Sequence, residues 1–143
     1  MTGVQTCALP ICDRITERTD IYIADSLGEL GLFYRLADIA FVGGSLVPHG
    51  GQNLLEPARL DCAILHGPHM ANFAAFTAAF AAQRGAVEVA DGAALAAAVG
   101  GLLGDRDERR RLMAAAQTVA AAEAGVLDRI AAALEPYLER LGR

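Results

Sequence analysis

One short stretch gathers most of the residues able to do chemistry: Gly43-Gly44-Ser45, then His49-Gly50-Gly51-Gln52-Asn53, then Glu56. Glycine lets backbone N–H groups come close to an anion, and paired glycines around a turn are suited to a phosphate. Asn53 is placed to cap a helix over Asn53 to Leu60, whose N-terminus would add partial positive charge. Glu56 sits about one turn into that helix. Its charge would repel a phosphate, but a carboxylate accepts hydrogen bonds from sugar hydroxyls. The alternative for Glu56 is a simple helix cap, and for His49 a solvent-facing side chain instead of a donor to phosphate or sugar carboxylate. A phosphate loop followed by a sugar-binding carboxylate suggests a nucleotide.

Two other stretches carry polar groups. Asp25-Ser26-Leu27-Gly28-Glu29 turns into a second helix start, where Glu29 favours the helix dipole or frames a ligand. His66-Gly67-Pro68-His69-Met70-Ala71-Asn72 holds two histidines, a Gly-Pro turn and an asparagine placed to cap the next helix. A lone His-x-x-His in a loop has too few ligands for a metal, and the loop reads as structural. No Ser/His/Asp set with a nucleophile elbow and no Walker lysine is present, so no catalytic residue is assigned.

These turns need a scaffold. Ile21-Tyr22-Ile23-Ala24, Ile39–Val42, Cys62–Leu65 and Ala86–Val89 read as strands. Between them Leu30–Leu36, Asn53–Leu60 and Asn72–Gln83 read as helices, the last with Phe73, Phe76 and Phe80 on one face. Pro57 fits only in a first helical turn. Strands joined through single helices run parallel, so the pattern predicts an α/β, Rossmann-like sheet with helices on both faces. Ligands in such sheets sit beyond the carboxyl ends of the strands, where all three polar turns are expected. After Val89 the chain reads as a helical tail: Ala93–Leu103 and Asp107–Glu123, capped by Asp91 and Asp105, then an amphipathic stretch beyond Gly125. That last stretch lines up Leu127, Ile130, Leu134, Leu138 and Leu141.

The 143 residues suit one domain with a real core. A net charge of −5 and a pI near 5.1 argue against nucleic acid. Arg109-Arg110-Arg111 follows Asp105, Asp107 and Glu108 and reads as a solvated helix face with local ion pairs. No apolar run approaches the ~20 residues that span a bilayer. Cys7, Cys12 and Cys62 form no CxxC pair, and Cys62 reads as a buried thiol in a reducing compartment. Met1 to Cys12 has no charge and no periodicity, and resembles translated adaptor sequence. The expectation is a non-native leader, a native start near Asp13, and an origin in a longer protein.

Three motifs in order carry a family resemblance: Asp25 to Leu30, Phe41 to Ala58, and Gly67 to Phe73. Together they resemble the C-terminal half of the bacterial 3-deoxy-D-manno-octulosonic acid (Kdo) transferases, from about Ile21 onward. Gln52 stands where the family usually has histidine, and Ser26-Leu27 where it has Thr-Met. The resemblance implies a two-domain GT-B glycosyltransferase that inverts the anomeric centre. It transfers Kdo from CMP-Kdo to a lipid A precursor in lipopolysaccharide synthesis at the cytoplasmic face of the inner membrane. By carry-over, Gly44, Ser45, Gly50, Gly51 and Asn53 surround the phosphate and Glu56 holds the ribose. Asp25, Ser26, Gly28 and Glu29 lie near the nucleotide, with His49 toward the donor sugar. The base, the acceptor site and the membrane contact belong to an N-terminal domain absent from this sequence. No metal and no cofactor are implied. The alternatives are the C-domain of a UDP-sugar transferase or epimerase, and a non-catalytic nucleotide-binding module.

Overall fold

The computed structural model describes residues 19–24 and 27–141, with only the backbone at 126–129, 136 and 139–141. The expected leader, with Cys7 and Cys12, lies outside the described residues. Two compact units divide the chain, Met1–Leu30 and Gly31–Arg143. The elements follow in order: α1 Leu30–Leu36, β1 Ile39–Val42, α2 Leu55–Arg59, β2 Ala63–His66, a 3₁₀ turn Ala71–Phe73, α3 Ala74–Ala82, β3 Ala86–Glu88, α4 Gly92–Gly104, α5 Arg106–Ala124 and α6 Val126–Leu141.

The three strands form one parallel sheet in the order β1-β2-β3. Ile39 pairs with Ala63, and Ile64 pairs with Ala86. Central β2 is buried along its whole length, as a strand covered on both faces must be. Its side chains alternate between two cores. On one face Ile64 packs with Val42, Leu54, Ala58, Met70, Phe80 and Val119, and Phe73 and Phe76 join that cluster. On the other, Ala63 and Leu65 pack with Leu102 and Leu112. Helix α5 serves both faces, giving Leu112 to one and Ala116, Val119 and Ala120 to the other.

Several boundaries depart from the sequence expectations. Ile21 to Ala24 forms no strand, and Ile21 and Ile23 are exposed. A four-residue apolar run becomes a strand only when a neighbour completes its hydrogen-bond ladder, and the described residues of this unit supply none. Helix α2 is five residues, shorter than Asn53–Leu60. It closes as Leu60 and Cys62 donate to the Pro57 carbonyl (3.2 and 3.1 Å) and Asp61 turns left-handed at φ 61°. Pro57 does occupy the first turn. Asn72 is not a cap; it lies inside the 3₁₀ turn, and α3 begins two residues later without a side-chain cap.

The tail follows the reading closely. Asp91 accepts from the Ala94 N–H at 2.8 Å, and Asp105 accepts from those of Asp107 and Glu108 at 3.1 and 2.9 Å. The arginine run bears out the expected local pairing in part: Arg111 holds Glu108 with two contacts of 2.6 Å, whereas Arg109 meets the distant Asp38 at 3.3 Å. The apolar stripe of α6 is open, with Ile130, Leu134 and Leu138 each about half exposed or more. Leu127 and Leu141 lie outside the described side chains.

Candidate functional site

β1 and β2 are adjacent and parallel, so the segments leaving their carboxyl ends emerge side by side. Loop 43–54 follows β1 and loop 67–70 follows β2. Ser45 joins them. It is fully buried, its hydroxyl donates to the Val42 carbonyl, and its Oγ accepts from the Gly67 N–H at 2.8 Å. Its carbonyl accepts from the His69 N–H at 2.9 Å, and the Gly50 carbonyl accepts from the Asn72 N–H at 3.2 Å. Three hydrogen bonds therefore tie the two segments. The Ser45 hydroxyl is thus engaged within the protein both as donor and as acceptor.

Glycine is required where the segments touch. A Cβ on Gly67 would lie 2.7 Å from the Leu46 nitrogen and closer still to the Ser45 carbonyl. Gly50 and Gly51 adopt φ +101° and +74°, and their Cβ atoms would enter the Asn72 and Met70 side chains. Gly44, at φ +67°, would place its Cβ 3.0 Å from the His49 ring. The loop closes on itself as Gly51 donates to the Gly44 carbonyl at 3.1 Å.

A cavity of about 490 Å³ opens between the segments, lined in part by His49, Gly50, His69, Met70 and Asn72. His49, His69 and Asn72 are exposed, so their polar ends are accessible from solvent. Farther along the same loop, Asn53 Oδ1 accepts from the Leu55 N–H at 3.0 Å, one residue earlier than a cap of α2 assigned at Leu54. Glu56 is exposed in the first turn of α2. The backbone N–H groups of Gly50, Gln52 and Asn53 meet no acceptor among the described residues. A five-residue helix has only a small macrodipole, so these individual amides are the larger source of positive potential for an anion.

The expected site residues therefore divide. Gly44, Ser45, His49, Gly50, Gly51, Asn53 and Glu56 share one sheet edge. Asp25 and Ser26 lie outside the described residues. Gly28, at φ +89°, and Glu29 lie in the first compact unit and follow no strand. Of the three polar turns expected at strand ends, two are there. The sequence reading assigned His69, Asn72 and Gly67 to structure alone; two of them line the cavity and the third lets its walls meet. A Gly-Pro pair directly after a buried strand was the available signal. Outside this group, the Tyr34 hydroxyl pKa is raised by burial first, then by Glu56 and Cys62. No group of three or more His, Cys, Asp or Glu able to hold a metal occurs among the described residues.

Comparison with known proteins adds the following. No family model matches the chain. A 3-deoxy-D-manno-octulosonic acid transferase of Haemophilus influenzae is 43% identical over 125 residues, which is 87% of this chain and 29% of that protein. Its namesake in Bordetella pertussis is 34% identical over 119 residues, 83% of this chain and 28% of the other. Among solved structures, the C-terminal CMP-Kdo binding domain of WaaA from Acinetobacter baumannii superposes with a TM-score of 0.69 at 35% identity. That match covers 71% of this chain and 53% of that one. The chain thus spans under a third of the length of these two curated relatives.

Proposed function

We propose that this chain, which belongs with the 3-deoxy-D-manno-octulosonic acid transferases and corresponds to their C-terminal part, binds CMP-Kdo as the donor half of such an enzyme. The observation that carries the reading is the hydrogen-bonded pair of loops at the carboxyl ends of β1 and β2, with a cavity between them whose lining includes Gly50, an amide with no acceptor among the described residues. In this reading the phosphate lies against the backbone of Gly44, Gly50, Gly51 and Asn53. Ser45 shapes that backbone from below. Glu56 accepts from the ribose hydroxyls. The sugar acid extends toward His49, and with it toward His69 and Asn72 across the cavity.

The whole protein transfers Kdo to a lipid A precursor with inversion, as a GT-B enzyme at the cytoplasmic face of the inner membrane. Its general base and acceptor site reside outside this chain. The part played here is electrostatic. Preorganised N–H donors stabilise the negative charge that grows on the departing CMP phosphate, and this requires no metal. The present chain alone has no transferase activity.

Calorimetry with CMP, UDP and AMP tests the reading. CMP binds and the other two bind more weakly. Glu56→Ala costs about 1.5–3 kcal/mol, roughly ten- to a hundredfold in affinity, as the ribose hydroxyls lose a charged acceptor. Equal affinity for the three nucleotides would reject a cytidine donor. An unchanged CMP affinity in Glu56→Ala would reduce Glu56 to a helix residue.

A further inference from the structure

Along the outer edge of the sheet, β3, α3 and α5 wall a separate cavity of about 320 Å³. It shares no lining residue with the cavity of His49 and Asn72. His66 reaches it from the end of β2. That strand is buried along its whole length, and His66 is its one polar residue, only 4% exposed. The Nδ1–H of His66 donates to the Gly67 carbonyl at 2.8 Å, which leaves Nε2 of the neutral ring as an acceptor. Nε2 has no partner among the described residues. No fully buried side-chain nitrogen or oxygen there lacks one, so Nε2 reaches open space, and the cavity is the space that His66 lines. A buried imidazole nitrogen without a partner is costly, so the cavity has to hold a donor for it.

The other polar groups on the wall divide into acceptors and guanidinium donors. Glu88 is the register partner of His66, so the two side chains project from the same face of the sheet. The Thr77 hydroxyl donates to the Phe73 carbonyl at 3.0 Å, which leaves its oxygen to accept. Arg84 and Arg111 supply the donors. Arg111 already holds Glu108, but Arg84 and Glu88 have no ion partner among the described residues, although both line the cavity. The charges therefore balance, two arginines against Glu88 and Glu108. A bare anion would meet Glu88, and a bare cation would meet Arg84. A small zwitterion satisfies both. An ammonium carries three donors, matching the three acceptors His66 Nε2, Thr77 Oγ1 and Glu88, and a carboxylate accepts from a guanidinium fork. Ala86 and Val87 on the same wall suit a short aliphatic side chain.

We propose that this cavity binds a free α-amino acid with a small side chain, its ammonium on His66, Thr77 and Glu88 and its carboxylate on Arg84. The proposal is independent of what occupies the nucleotide edge.

Titration of the isotope-labelled chain with L-alanine, followed by heteronuclear NMR, tests it. Saturable shifts appear in the amides of Thr77, Ala81 and Ala86 to Glu88, with half-saturation below ~10 mM, and the His66 Nε2 signal moves with them. Acetate and methylammonium, each carrying one of the two charges, bind about tenfold more weakly or worse. Arg84→Gln and Glu88→Gln each weaken L-alanine at least about tenfold, while far-UV circular dichroism stays unchanged. Both side chains are exposed, so the fold does not rely on them. No saturation by ~100 mM would leave the cavity to water and overturn the proposal. Equal binding of acetate would identify a simple anion site and reject a zwitterion. An unmoved His66 Nε2 signal, or affinity unchanged in either variant, would equally overturn it.

Discussion

Replacing Gly67 by alanine tests whether the two loops form one unit. The added Cβ would sit 2.7 Å from the Leu46 nitrogen, whereas ordinary contact begins near 3.4 Å. The obstacle is backbone, which cannot rotate aside, and the Ser45 carbonyl is nearer still, so the loops must part by about 1 Å or more. That movement lengthens the bonds that hold them: Gly67 N–H to Ser45 Oγ, 2.8 Å, and His69 N–H to the Ser45 carbonyl, 2.9 Å. Each is worth about 1 kcal/mol net, and the buried Gly67 donor costs up to about 3 kcal/mol if it loses its acceptor. Gly67→Ala should therefore destabilise by about 2–4 kcal/mol in urea titration, a large part of a typical domain's stability. Gly43→Ala is the internal control. It stands in the same turn, but its Cβ meets nothing within 4 Å and its φ is not positive. That substitution should be neutral, or stabilise by up to about 1 kcal/mol through the unfolded chain. CMP affinity should fall with Gly67→Ala and stay constant with Gly43→Ala. If the two variants match the parent to within about 0.5 kcal/mol, the loops move independently and the packing argument is wrong.

Further outcomes concern other parts of the molecule. The Cys62 thiol is pushed up to about 11, by burial first and then by Asp61 and Asp38, and Tyr34 is raised as well. Folded-state pKa values above the unfolded ones give stability that is complete below about pH 9 and is lost as pH climbs toward 11. Cys62→Ala should flatten that fall in a pH series of urea melts, and the parent thiol should react slowly with iodoacetamide at pH 8. Arg84 ends α3 in the left-handed region at φ 52°, in a Schellman arrangement where Gly85 donates to the Phe80 carbonyl at 2.8 Å. Arg84→Gly should raise stability by about 0.5–1 kcal/mol, and a thermal melt shifted downward would contradict the strain. Leu134 and Leu138 are exposed on α6, so the chain should self-associate in sedimentation velocity, and changing both to glutamate should abolish that while leaving the urea midpoint unchanged. A collapse in stability would place that stripe in the core.

Local chemistry was legible from sequence wherever it involves groups close along the chain. The caps at Asp91 and Asp105, the apolar face of Phe73, Phe76 and Phe80, and the Glu108–Arg111 ion pair are set by spacings of two to four residues. The glycine-rich loop after Val42 belongs here too, since left-handed φ values at Gly44, Gly50 and Gly51 are a property of the residue type. The alternation of short apolar runs with helices determined a parallel sheet before any contact was known.

Tertiary structure decided what depends on distant neighbours. Ile21 to Ala24 has strand composition but no ladder to join among the described residues of its unit, and composition alone cannot supply one. Gly85 looks like a helix terminator, yet Arg84 takes the left-handed position. Gly85 is needed instead because a Cβ there would meet the Ala116 backbone of α5 at 2.9 Å. The candidate site divides in the same way. Its glycines were visible in sequence, but the bond from Gly67 to Ser45 spans 22 residues and exists only because parallel pairing brings β1 and β2 together. The same pairing turns His69 and Asn72 from loop residues into the wall of a cavity. A sequence lists which groups can bind a phosphate or a sugar; the register of two strands decides which of them face one another.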